Sequence, residues 1–310
     1  MKNILFLLTI VFLSSLLLGS CALSQLGTHA SNSILEEPDY ALAADALPSL
    51  IKIAETMQRT YPDKTSYRIT LASLYLLYAN AFLEGEAFYL MDTDYAAARG
   101  LQLRAKSLYV RAAALLEPAI LKKSPRLLAS EIQLDSSLEP DSPAFKNLTG
   151  GFKADSVDLL YYYSAASLAA FALDPLDFEN AQKVPAAILL LQRAMELDPL
   201  FNGGMVRELA FTVYTSLPES LGGNRKLAQQ LYETIADDQI NPASAAFYVS
   251  WALGFCAPEN EYADFINSLE KAIAIGTNPD RPSLMNSLAA RKAGWILENS
   301  FLYIDEPAAR

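Results

Sequence analysis

The sequence predicts an all-α protein in which helix pairs pack into a compact helical-repeat bundle. Three observations carry this. From Asp39 onward, apolar residues recur at helical spacing and strand-type alternation is almost absent. The stretch Ala187 to Pro199, AILLLQRAMELDP, steps from Ala187 to Leu191 to Ala194 and stops at Pro199. The same stepping returns at Ala105, Tyr109 and Ala112, at Ala228, Tyr232 and Ile235, and at Phe265, Leu269 and Ala272.

The spacing has a physical cause. Residues three and four apart share one helix face. Small Ala residues there admit a neighbouring helix, and the larger middle residue fills the gap beside them. Pro199 cannot continue a helix and forces a turn. This is the second-helix half of a tetratricopeptide-type unit, and about four degenerate copies make a tetratricopeptide-like bundle. None carries the full Trp, Leu-Gly and Tyr signature of a first helix, so a non-repetitive α bundle is the competing reading.

The elements follow in order. Asp39 caps a helix to about Arg59, with Pro48 in an early turn and Tyr61-Pro62 as its stop. Thr65 to Leu90 is a long tyrosine-rich helix interrupted by Gly85. Asp94 opens a third helix that ends before Pro118. Residues 124–153, punctuated by Pro125, Pro140, Pro143, Gly150 and Gly151, read as an excursion over the surface or a lid, with at most one or two short helices. Helices then run from Asp155 to Leu173, Glu179 to Leu197, Met205 to Ser216 and Arg225 to Asp238, the last capped by Asn224. Pro242 opens another through Phe255. Glu259 to Ile275 follows, and Pro282 begins the last, to about Phe301.

The N-terminus reads as an address. Lys2 precedes the apolar run Ile4 to Leu18, shorter than the ~20 residues of a spanning helix. Leu18, Gly19, Ser20 and Cys21 then resemble a bacterial lipobox. The expected organisation is a signal peptide at 1–20, a lipidated Cys21 and flexible tether at 21–38, and an all-helical domain at 39–310. Cys21 would anchor the chain to a bacterial membrane facing the periplasm. Stable anchoring takes more than one acyl chain, each buried CH₂ contributing about 0.8 kcal/mol.

Composition narrows the function. The 310 residues carry a net charge of -11, which argues against a nucleic-acid partner. Hydrophobic residues make up 52%, enough for a sizeable core. The single histidine, His29, lies in the tether, so the helical domain lacks the commonest general base and metal ligand. The Gly pairs at 150–151, 203–204 and 222–223 are helix stops, since no strand precedes them and no Lys-Ser/Thr follows. Asp92 and Asp94 lack the Gly and closing Glu of a calcium loop. No catalytic set, metal site or cofactor is expected. Glu84 and Glu86, and Arg99, Arg104, Lys106 and Arg111, read most simply as solvated faces. Cys256 reads as a buried, inert thiol.

Aromatic residues are numerous, with 16 Tyr and 14 Phe. Tyr75, Tyr78 and Phe82 share one helix, and Phe247 and Trp251 are spaced by four on another. Tyr161, Tyr162 and Tyr163 are consecutive, and three consecutive residues cover most of a helix circumference. At least one of them must face something other than a single core.

Three blocks carry a family resemblance. SLPESLGGNRKLAQQLYETI (Ser216 to Ile235) and the closing helix LMNSLAARKAGWILEN resemble the T-component of tripartite ATP-independent periplasmic (TRAP) transporters. FYLMDTDYAAARGLQLRAKSLYVRAAALL is similar to that family's central helix. The resemblance implies a periplasmic lipoprotein with a tetratricopeptide-like fold. It implies association with the periplasmic solute-binding protein (the P-component), trimers, and a hydrophobic cavity or pore in each protomer; its members are not known enzymes. With that implication, Tyr75, Tyr78, Phe82, Tyr161, Tyr162, Phe247 and Trp251 become candidates for lining an apolar ligand cavity. The reading is a non-enzymatic transport accessory; the alternative is a scaffold lipoprotein of an envelope assembly complex.

Overall fold

A computed structural model describes residues 33–37, 39–128, 140 and 142–306. The lipobox and Cys21 lie outside the described residues. Twelve helices carry the fold: α1 (Tyr40–Thr60), α2 (Thr65–Tyr78), α3 (Gly85–Leu90), α4 (Tyr95–Lys123), α5 (Pro143–Thr149), α6 (Val157–Leu173), α7 (Val184–Leu197), α8 (Phe201–Ser216), α9 (Arg225–Ala236), α10 (Ala245–Trp251), α11 (Tyr262–Gly276) and α12 (Leu284–Glu298). Among the described residues there is no strand.

Side-chain caps fix where several helices begin. Asp39 accepts from the Ala41 and Leu42 amides, Asp94 from Ala97, and Asn224 from Leu227. Ser142, Ser244 and Ser283 cap α5, α10 and α12 in the same way. The Gly222-Gly223 turn sits between α8 and α9. Gly222 has φ 96°, in the left-handed region. Gly223 passes so close to the Leu217 carbonyl that a Cβ would lie 1.8 Å from its oxygen. Both positions require glycine.

Helices that follow one another in sequence pack together. α1 lies on α2, α2 and α3 on α4, α4 on α6, α6 on α7, α8 on α9, α10 on α11, and α11 on α12. α8 also touches α6, α7 and α10, and so joins the two halves. α6 is buried on nearly every face, as its apolar sequence requires for a helix surrounded by others. The recurring triads all fall at helix interfaces: every member is buried except Tyr232, which is half-buried.

Several boundaries differ from expectation. α4 does not end before Pro118 but runs through it to Lys123. Pro48 also sits inside a helix, α1, as the expected run from Asp39 to about Arg59 has it. An interior proline costs about 3 kcal/mol. Each is flanked by fully buried residues, Leu116 and Ile120 in one case and Leu47 in the other, whose packing offsets the loss. The helix expected over 179–197 is two pieces, Phe178–Ala181 and then α7, with Pro185 in the first turn of α7 where no N–H is needed. The described parts of 124–153 are not a surface excursion. Leu127, Phe145 and Phe152 are fully buried and α5 packs on α7.

Two wider turns were not foreseen. Residues 65–90 form one continuous rod in which Ala79–Glu84 is π-helix. Ala252–Cys256 is a second π segment, directly after α10. Both follow aromatic-rich helices.

Candidate functional site

The candidate residues fall into three separate aromatic clusters. In the first, Phe82 on the π segment meets Tyr78 at 5.9 Å and Tyr40 of α1 at 5.0 Å. Tyr75 faces elsewhere, toward a polar cluster with Glu55 and Arg111. In the second, Tyr161 and Tyr162 lie edge to face at 5.1 Å, and both meet Phe201 at the start of α8. Tyr163 points away into the core, fully buried. The three consecutive tyrosines do divide between surfaces, as the circumference argument requires.

The third cluster is a ladder. Phe247 and Trp251 do not share a ring contact but are joined through Phe211 on one side and Tyr232 on the other. Tyr232 stacks on Trp251 at 3.6 Å with 20° between planes, and Trp251 stacks on Phe255 at 4.2 Å with 9°. Trp251 and Phe255 are four residues apart, so they share one helix face, and Phe255 lies on the π segment. Trp251 is buried, whereas Tyr232 and Phe255 are half-buried, so the ladder climbs from core toward surface. Arg225 lies over its outer ring at 4.7 Å.

Arg104 is exposed, as the solvated-face reading expects, but the other charged residues given that reading are engaged. Glu84 accepts from Tyr109, and burial raises its pKa despite that bond. Glu86 accepts from Tyr40 at 2.9 Å and meets Arg291 of α12 at 3.5 Å. Lys106 bridges Asp174 and Asp177, each at 2.7 Å. Arg99 donates to the Leu173 carbonyl at 3.1 Å. Lys292 of α12 lies 4.5 Å from the Phe88 ring centroid; burial lowers its pKa, against the pull of Glu84. Burial pushes the Cys256 thiol up to about 12, so at neutral pH it is a protonated core residue.

Two of the pockets among the described residues have linings of mixed polarity. One, of about 350 Å³, is lined by Glu117, Tyr163, Gln182 and Lys183 together with Leu121 and Leu128. The other, of about 330 Å³, is lined by Glu55, Gln58, Arg59, Arg68, Tyr75 and Arg111 among others. Of the seven cavity candidates only Tyr75 lines either pocket. Sequence reasoning named Tyr232 as a repeat position and missed Tyr40, Glu55, Phe201, Phe211 and Trp295. Their partners are distant in sequence, and no local spacing marks them.

The architecture defines the class: an all-α protein of packed helix pairs, with aromatic clusters and ion pairs at the helix junctions. Within that class the sequence identifies the family. The family model described as TRAP transporter T-component matches residues 36–303, and the chain belongs to that family. It therefore has an accessory role in a TRAP transporter. It is also similar to a protein of Treponema pallidum (strain Nichols) described only as uncharacterized, at 28% identity over 278 residues, 88% of this chain and 84% of the relative.

Proposed function

We propose that this protein docks the periplasmic solute-binding protein of its transporter and holds a small hydrophobic ligand against its aromatic ladder. In this reading Cys21 carries the lipid anchor, the body stands in the periplasm, and the chain assembles as a trimer. The family match across 36–303 supports the transporter role. The observation that carries the ligand reading is the Tyr232–Trp251–Phe255 stack, which climbs from a buried indole to half-buried rings. A flat apolar molecule taking the place of Arg225 on the Phe255 ring would continue the stack, each ring contact contributing about 1 kcal/mol beyond its buried area. The reaction is recognition, with no bond made or broken.

Two measurements test this. Co-purification of the tagged chain with the solute-binding protein encoded beside it should recover a complex; recovery of envelope assembly proteins in its place would favour the scaffold reading. Native mass spectrometry of the purified protein should show an apolar adduct that Trp251→Ala loses. An adduct unchanged by Trp251→Ala would remove the ladder from the proposal. Sedimentation gives the oligomer, with three copies expected.

A further inference from the structure

The pocket between α1, α2 and α4 has a charge imbalance that the rest of the molecule does not explain. Lys52, Arg59 and Arg111 all turn to one carboxylate, Glu55, with Lys52 at 3.0 Å, Arg111 at 2.9 Å and Arg59 at 3.9 Å. Glu55 also accepts from the Tyr75 hydroxyl at 2.8 Å. Burial pushes its pKa up, but the bonds from Tyr75, Lys52 and Arg111 outweigh burial and hold it below the usual range. Glu55 is therefore ionised and fully engaged.

Arg68 has no carboxylate at all. Its Nε and Nη2 donate to the Pro62 carbonyl at 3.0 and 2.8 Å, and its Nη1 donates to the Leu115 carbonyl at 3.1 Å. These neutral acceptors fix the guanidinium without neutralising it. A guanidinium carries five N–H groups, so Arg68 and Arg111 both retain donors. Arg111 is held in place by Glu55 and by Tyr75, whose ring lies 4.4 Å beneath its Cζ. Three cations thus surround one anion, and Arg68 adds a fourth charge beside the same pocket, in a chain whose net charge is -11. Three of the four line an open space of about 330 Å³, with Gln58 beside them.

We infer that this pocket binds an oxyanion, a carboxylate or phosphate group on a small molecule, with Arg68 and Arg111 as its fixed donors and Arg59 closing over it. Planar guanidinium forks suit two-oxygen acids, and donors already locked in position lose little entropy on binding. The site is distinct from the aromatic ladder and does not depend on the hydrophobic-ligand reading.

Isothermal titration calorimetry on the purified full chain tests it. Three probes are used: succinate, inorganic phosphate, and dihexanoyl phosphatidylglycerol below its micelle concentration. One-to-one saturable binding of at least one probe is expected, weakening with added salt. Binding of succinate or phosphate identifies a free acid as the source, and binding of the phosphatidylglycerol alone identifies a lipid headgroup. Arg68→Gln should weaken binding about tenfold, as loss of a charged hydrogen-bonding partner does. Arg59→Gln is a second variant whose side chain is 79% exposed, so the fold survives it; it should weaken binding by a smaller factor. Absence of saturable binding for all three probes overturns the assignment, as does binding that neither variant alters.

Discussion

Glu55 and Lys292 are both withdrawn from water, and protonation of either disfavours the folded state, although the charged form is the stabilising one for Glu55 and the costly one for Lys292. Glu55 is ionised and bonded in the folded state, with its pKa below the unfolded value of about 4.3. Its contribution is present above that unfolded value and lost as pH falls through the folded one. Glu55→Gln should therefore cost about 1–3 kcal/mol at pH 7, and the gap to the parent should narrow below about pH 4. Urea titrations at both pH values measure this; a gap that stays constant would show that Glu55 acts through packing alone. Lys292 has its pKa lowered, first by burial, with Glu84 opposing. The folded state then binds fewer protons than the unfolded one just below the unfolded lysine pKa of about 10.4. Stability from this group rises with pH across that window. Lys292→Met should be at least as stable as the parent at pH 7, with any advantage shrinking toward about pH 10. A clearly less stable variant at pH 7 would mean that the Phe88 and Glu84 contacts outweigh the cost of burial.

At the level of helices, two glycines call for opposite outcomes. Gly276 ends α11 where α12 crosses it, and a Cβ there would lie 2.1 Å from the Asn286 carbonyl oxygen and 2.4 Å from the Ala290 Cβ. Neither neighbour is the end of a flexible chain, so Gly276→Ala must separate the two helices, at a cost of about 1–3 kcal/mol. Gly100 lies inside α4 with nothing within 4 Å of an added Cβ. Gly100→Ala should stabilise by about 0.5–1 kcal/mol through helix propensity alone. Shifts of the urea midpoint in opposite directions, with unchanged slope, would verify both. The difference between these glycines depends on a tertiary crossing and cannot be seen in either local sequence. The same divide separates what was legible from what was not. Caps at Asp39, Asp94 and Asn224, and the interface triads, are local chemistry and could be read directly. Pro118 was misplaced because buried neighbours override a local penalty. The π segments have no compositional mark. The aromatic candidates were legible as residue types. Their grouping into three clusters was not, because Tyr232 with Trp251 and Tyr161 with Phe201 are long-range pairs. The anion pocket was half legible: Arg111 was noticed on its helix, but Glu55 and Arg68 come from two others.

On the scale of the whole molecule, the row of helix pairs returns to its beginning. Trp295 of α12 meets Phe88 at 5.0 Å and Tyr89 at 6.4 Å, both on α3. Arg291 lies over the Tyr89 ring at 4.5 Å and the Tyr40 ring at 5.9 Å, and reaches Glu86. These contacts join helices some two hundred residues apart, since Arg291 and Glu86 differ by 205 positions. An open stack of helix pairs has two exposed ends that fray independently. Here the ends cover one another, so closure should protect both from local opening. Trp295→Ala removes the largest ring of the junction while leaving α4, α6 and α7 untouched. Hydrogen exchange should then rise in α1, α3 and α12 together, with the amides of α6 and α7 unchanged. Faster exchange confined to α12 would mean that the last helix merely rests on a stack that is stable without it. A rise throughout the chain would mean that the junction holds the entire fold. The coupled response of first and last helices alone is what a closed row requires, because only the junction links them.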